Sequence, residues 1–250
     1  MEPFETTDEF LESTTSRGPK RQLAKVNSII IHTTGYGAGL ERIKNLNKTL
    51  EEIGFAYAHR MANILKYKGH FLIDHTGKIW QFLPLTEVAW HTGSSKRKVL
   101  ATEELYSWWR NRWQGTVKRP TELAVWEGSP NGNSIGIDLL AHGNGAITSG
   151  YTEKQYISLA NLIKSLSKTA SIPLERKYIL GHEDVDPISR GSKKGGWDPG
   201  KFDWDQLFLL MRDDQQEVEE SEEVEEIAEV VAKNFGTQLW LFLKGFLRGV

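Results

Sequence analysis

Ile29-Ile30-Ile31-His32-Thr33-Thr34-Gly35 is an apolar, β-branched run closed by a histidine, and it reads as a buried strand ending in a polar turn. A second run of the same kind, Tyr178-Ile179-Leu180-Gly181-His182-Glu183-Asp184, again delivers a histidine at its end. Just beyond it, Trp197-Asp198-Pro199-Gly200 sets an aspartate in a loop rich in glycine and lysine. Two imidazoles and one carboxylate make a three-ligand zinc set: His32, His182 and Asp198. A structural zinc is normally closed by four protein ligands, whereas three leave a position for water, the catalytic arrangement. The expectation is a zinc hydrolase.

The chain has 250 residues, enough for one good-sized domain with additions. It contains no cysteine, which excludes disulfides, thiolate ligands and a cysteine nucleophile. Met1-Glu2-Pro3-Phe4-Glu5-Thr6-Thr7 is acidic and polar, without the basic-then-apolar order of a Sec-type signal. The net charge of −2 hides an asymmetry. Residues 213–250 hold ten acidic and three basic residues, which leaves 23 acidic against 28 basic residues in 1–212. A mildly basic body suits an anionic polymer, though a random surface balance accounts for it equally well.

Strand and helix signals alternate along residues 21–212, so the class is α/β with one central sheet. Strands are expected at Val26–His32, Ser134–Leu140 and Lys177–Leu180. Phe71–Asp74 and Lys78–Leu83 flank His75-Thr76-Gly77 and read as a hairpin. Leu40–Ile53 has helical apolar spacing with Gly54 as its C-cap. Thr152–Thr169 is the clearest helix, because Thr152 and Gln155 form a capping box ahead of Tyr156, Leu159, Leu162, Ile163 and Leu166. Asp203–Met211 is a last short helix.

Four segments stand apart from this rhythm. Residues 1–20 read as a flexible leader. Residues 94–132 form a Trp-rich insertion, with Trp108, Trp109, Trp113 and Trp126 among basic residues. It reads as an inserted helix packing its aromatics, or as a groove wall whose indoles stack on sugar rings. Residues 213–226 carry nine acidic residues and no basic one, a solvated linker. Residues 227–250 show apolar positions near 3.5-residue spacing, an amphipathic helix. Lys233 and Lys244 leave ten uncharged residues between them, too few for a transmembrane span. Self-association, partner docking or a membrane surface is the expected use of that helix.

The motifs Ile30-Ile31-His32-Thr33-Thr34-Gly35, His70-Phe71-Leu72-Ile73-Asp74, Gly77-Lys78-Ile79-Trp80-Gln81, Ala89-Trp90-His91-Thr92-Gly93, Asn133-Ser134-Ile135-Gly136-Ile137-Asp138, Gly181-His182-Glu183-Asp184 and Asp198-Pro199-Gly200 resemble, in order, those of the zinc-dependent N-acetylmuramoyl-L-alanine amidases. That family includes muropeptide-recycling amidases, phage lysozyme-amidases and peptidoglycan recognition proteins. The resemblance implies a central mixed sheet flanked by helices, with a zinc groove on one side. It also implies cleavage of the amide between N-acetylmuramic acid and the L-alanine of the stem peptide.

Carried over by position, Asp138 is the candidate general base, at a strand position where the recycling branch carries glutamate. The family often places a lysine two residues before the metal aspartate. That position here is Gly196, and Lys194 in the lengthened loop is the candidate oxyanion helper. The tyrosine that phage members place before the His-Phe strand is replaced by Gly69. His91, Trp90 and Thr33 are candidate substrate contacts. His59, His70, His75 and His142 have no metal-ligand spacing and are expected to be structural or surface residues.

The leading expectation is a peptidoglycan hydrolase of the endolysin or secreted bacteriolytic type, made in the cytoplasm and acting at the bacterial cell wall. The competing expectations are a non-catalytic peptidoglycan-recognition module and a cytosolic recycling amidase. No nucleic-acid motif accompanies the Trp-rich segment, so no nucleic-acid partner is expected.

Overall fold

In the computed structural model, the Ile29–Ile31 triplet lies in a mixed sheet that has six strands among the described residues, on a strand flanked by parallel neighbours on both sides. The structure describes residues 5–12, 18–34, 49–65, 69–93, 129–141, 150–186 and 198–212. The strands are β1 (Glu9–Phe10), β2 (Ser28–Thr33), β3 (Phe71–Ile73), β4 (Ile79–Gln81), β5 (Ser134–Leu139) and β6 (Ile179–Gly181). Their order across the sheet is β1-β4-β3-β5-β2-β6. The helices are α1 (Leu50–Asn63), α2 (Pro130–Asn133), α3 (Glu153–Ala170) and α4 (His182–Val185), and residues 204–212 are also helical.

β2 is flanked by β5 and β6 and runs parallel to both. Every residue of β2 and β5 is buried, and a parallel strand covered on both faces needs apolar centres such as Ile29–Ile31, Ile135 and Ile137, with the buried polar residues His32, Thr33 and Asp138 toward the strand ends. The register pairs His32 with Asp138, and Asp138 with Leu72 on β3. Paired residues of neighbouring strands point to the same face, so His32, Asp138 and Leu72 form a row. Leu72 packs with Trp80 and with Ile53, Tyr57 and Met61 of α1, so α1 covers that end of the face. At the other end Ile30, Leu180 and Val185 pack together. The site lies on the face between these two clusters.

β3 and β4 form the expected antiparallel hairpin. Its turn is organised by Asp74, whose Oδ1 accepts from the Thr76 amide and hydroxyl and from the Lys78 amide. The capping box at the start of α3 is also present, with Thr152 and Gln155 in reciprocal hydrogen bonds.

The first helix differs from its expected limits. Thr49 and Glu52 form a capping box that starts α1, and the helix runs through Gly54 to Asn63. Gly54 is therefore not a C-cap but an interior contact. A Cβ there would lie 2.3 Å from Asp74 Oδ2, so only glycine lets α1 approach the hairpin turn this closely. Residues 35–48, which hold most of the expected Leu40–Ile53 helix, lie outside the described residues.

Within the stretch expected to be a flexible leader, Glu9–Phe10 pairs in parallel with β4. The edge offers unpaired backbone groups, and Asp8 and Leu11 donate their amides to the Ile79 and Gln81 carbonyls. Lys78 and Glu9 pair at 2.8 Å, and Ser165 of α3 bonds to Glu5.

The chain divides at Phe208 into two units, Met1–Phe208 and Leu209–Val250. Residues 94–128 of the Trp-rich insertion, the expected acidic linker and the expected amphipathic helix at 227–250 lie outside the described residues, and the last residues of the insertion, 129–132, run into α2. Among the described residues, no helix is long and apolar enough to cross a membrane.

Candidate metal centre

Two neighbouring parallel strands each deliver a histidine at their C-terminal ends. His32 is in the penultimate position of β2, and His182 opens α4 directly after β6. Such strand ends, where a parallel sheet hands over to loops, are where α/β proteins place their chemistry. Asp198 joins them from the following loop. Its main-chain carbonyl accepts from the Glu183 amide at 2.8 Å, and its Oδ1 accepts from the Thr33 amide at 2.9 Å. The aspartate is thus fastened to both strand ends.

The three side chains converge. His32 Nδ1 and His182 Nδ1 are 3.1 Å apart. Asp198 Oδ2 lies 2.7 Å from His182 Nδ1 and 3.7 Å from His32 Nδ1. One ligand atom from each residue falls within 4.8 Å of the others, and all three residues are buried. Two imidazole nitrogens and a carboxylate oxygen aimed at one buried point fit a divalent cation of borderline softness, zinc above all. Burial opposes the charge on Asp198, but the adjacent imidazoles outweigh it and hold the carboxyl well below the ordinary carboxylate range. Asp198 is therefore anionic at any physiological pH and is the charged member of the candidate ligand set.

α4 is pinned from below. Asp184 Oδ2 accepts from the Gly181 amide and from Arg176, both at 2.7 Å. Arg176 in turn stacks over the Trp204 ring at 3.6 Å. These contacts fix the entry to α4 and with it the orientation of His182.

Asp138 lies on the same face as His32, one strand away. Its Oδ2 accepts from the Gly69 amide at 2.6 Å. The phenol of Tyr57 is pushed up to about 12, by burial first and then by the charge of Asp138. Gly69 provides a backbone donor to the candidate base.

The remaining expected site residues fall as follows. Thr33 is buried and lends its amide to Asp198. His91 is only 7% exposed and its ring stands edge-on to His32. Trp90, its neighbour, is 41% exposed and borders solvent. Lys194 lies outside the described residues. His70 is fully buried and structural. It accepts from the Gly136 amide through Nδ1, while its Nε2 lies 3.0 Å from the Glu87 carbonyl and 2.9 Å from Arg21.

Two residues of the site escaped the sequence reading. Tyr151 donates to the Pro199 carbonyl at 2.6 Å and steadies the loop that carries Asp198. Asn131 Oδ1 accepts from the amides of His91 and Thr92 and from the Thr92 hydroxyl. In sequence, Tyr151 is only the residue ahead of a helix cap, and Pro130-Asn131-Gly132-Asn133 reads as a turn. Neither pattern signals a distant partner.

A mixed α/β sheet with two histidines and an aspartate at its strand ends, and a carboxylate on the next strand, has the layout of a hydrolase with a metal centre. The family described as N-acetylmuramoyl-L-alanine amidase (Amidase_2) matches residues 22–201. The chain belongs to this family and is a peptidoglycan amidase. No curated protein matches the chain. Among solved structures, an AmpD derivative is similar at 22% identity, covering 81% of this chain and 93% of that one with a TM-score of 0.46. The amidase LysC from Clostridium intestinale is similar at 19% identity, covering 82% and 99% with a TM-score of 0.43. A mutant endolysin from Bacillus subtilis gives 19% identity, 82% and 99% coverage and a TM-score of 0.46.

Proposed function

We propose that the protein is a zinc-dependent peptidoglycan hydrolase of the endolysin or bacteriolytic type. It cleaves the amide between N-acetylmuramic acid and the L-alanine of the stem peptide, at the bacterial cell wall. The observation that carries this reading is the buried convergence of His32, His182 and Asp198 beside Asp138 on the same sheet face. Zinc held by those three residues would polarise the scissile carbonyl and lower the pKa of a water to about 7. Asp138, anchored through Oδ2 by the Gly69 amide, takes the proton from the attacking water and passes it to the leaving L-alanine amine. Water adds across the amide, so the products are a lactyl carboxylate and a peptide with a free amine. Lys194 is assigned the stabilisation of the oxyanion. The half-exposed Trp90 offers an aromatic face to the glycan.

The test is mass spectrometry of products from purified sacculi, with and without a zinc chelator. The expected result is chelator-sensitive release of stem peptides with a free L-alanine amine. His32→Ala and Asp198→Ala should release none while keeping the far-UV circular dichroism of the unaltered protein. Release at the unaltered rate by both variants would refute the zinc reading. Pelleting of the unaltered protein on sacculi with no release would make it a recognition module instead.

A further inference from the structure

His32 faces the candidate metal position through Nδ1, and its other nitrogen, Nε2, lies 2.8 Å from Nδ1 of His91. The far nitrogen of His91, Nε2, lies 3.1 Å from the Ser134 hydroxyl. The hydrogen-bond network assigns the hydrogens. The Ser134 oxygen is 2.6 Å from the Pro130 carbonyl oxygen. A carbonyl only accepts, so the hydroxyl hydrogen points there. Toward His91 the Ser134 oxygen is then an acceptor, and His91 Nε2 carries the ring hydrogen. In the neutral ring this leaves His91 Nδ1 bare. The short contact with His32 must therefore take its hydrogen from His32 Nε2. His32 Nδ1 is left with its lone pair, on the side where His182 Nδ1 and Asp198 Oδ2 converge.

The backbone and the packing hold His91 in this place. Asn131 fixes the backbone of His91 and Thr92. The imidazole lies directly on β5 at Gly136, where a Cβ would come within 2.6 Å of His91 Cγ and 2.7 Å of its Nδ1. Glycine at that strand position is what lets the ring reach from Ser134 to His32.

We propose that His91, oriented by Ser134, is a positioning residue that holds His32 as the Nε2–H tautomer and so presents Nδ1 to the metal. The proposal rests on the zinc reading above. A metal-bound imidazole commonly donates its second N–H to a fixed acceptor, which sets both tautomer and ring angle. A neutral acceptor in that role adds no negative charge, so Asp198 remains the single anion of the ligand set.

The experiment is zinc affinity of the full chain, by competition with a chromophoric chelator, with melting of the metal-free proteins alongside. The variants are H91F, H91N and S134A. H91F keeps a ring but loses the acceptor, and its affinity should fall by about 10–100-fold. H91N keeps an acceptor near the Nδ1 position and should recover most of that loss. S134A frees the His91 tautomer and should weaken binding, by less than H91F does; it also removes the bond to the buried Pro130 carbonyl, so its metal-free melting temperature falls and zinc affinity is the deciding readout. Affinity of H91F equal to that of the unaltered protein overturns the proposal and leaves the zinc reading standing. If H91F does not fold, S134A decides, and unchanged affinity in S134A overturns the proposal. Equal losses in H91F and H91N, matched by equal drops in melting temperature, reduce His91 to packing and also overturn it. No zinc binding by the unaltered protein refutes the zinc reading, and this proposal with it.

Discussion

Asp138 is shorter by a methylene than the glutamate of the recycling branch, and the structure shows what surrounds the shorter side chain. Its Oδ2 is held by the Gly69 amide, and its partner in register on β2 is the candidate ligand His32. A base needs a defined position before it needs a particular pKa. Asp138→Asn keeps an oxygen for the Gly69 amide but cannot take a proton. It should therefore lower kcat on sacculi by about 10²–10⁴-fold while zinc affinity holds. Activity close to the unaltered level in this variant would move the base elsewhere. At this scale the convergence of His32, His182 and Asp198 was legible, because histidines at the ends of β-branched runs are local patterns. The bonds that orient the ligands were not. Tyr151, Asn131 and Ser134 act on residues far away in the chain, and nothing in their own neighbourhoods announces it.

α1 carries the clearest lesson at the level of elements. Apolar spacing from Leu40 and a glycine at 54 suggested a helix ending there. The Thr49–Glu52 capping box was the stronger start signal, and it places Gly54 in the helix interior. Alanine at an ordinary interior glycine favours the helix by about 1 kcal/mol. At Gly54 the added methyl would meet Asp74, and Asp74 cannot yield because it also accepts from Trp80 Nε1 and from the turn amides. Gly54→Ala should thus lose about 1–3 kcal/mol in urea unfolding, and a gain would show that the helix is free to shift. The hairpin, β5 and α3 were legible because each has a complete local signal: turn residues, a β-branched run and a capping box. β1 was not, since a two-residue strand with charged neighbours has no periodicity. Its place is set by the free edge of β4.

The whole molecule should respond to acid through His70, which is fully buried. Burial first, and then the nearby Arg21 guanidinium, hold its imidazole well below the ordinary value of 6.5. The unfolded chain therefore binds a proton there as pH falls below 6.5, while the folded chain does not. Stability is full above that pH and declines below it, by up to about 1.4 kcal/mol per pH unit from this group. Urea midpoints between pH 7.5 and 5 should show this slope, and His70→Gln should flatten it by that amount. An unchanged slope in the variant would place the acid sensitivity elsewhere. The order of strands across the sheet has a temporal consequence. β2 appears early in the chain, yet both its neighbours lie more than a hundred residues further on. As the chain is synthesised, the strand that holds Ile29–Ile31 must wait for β5, then for β6, then for the loop that brings Asp198. Contacts of such long separation close slowly. On the zinc reading, the candidate ligand set is therefore complete only once Asp198 has been made. A chain stopped before Asp198 would lack one of its three candidate ligands, and ion capture would report that synthesis has passed that residue.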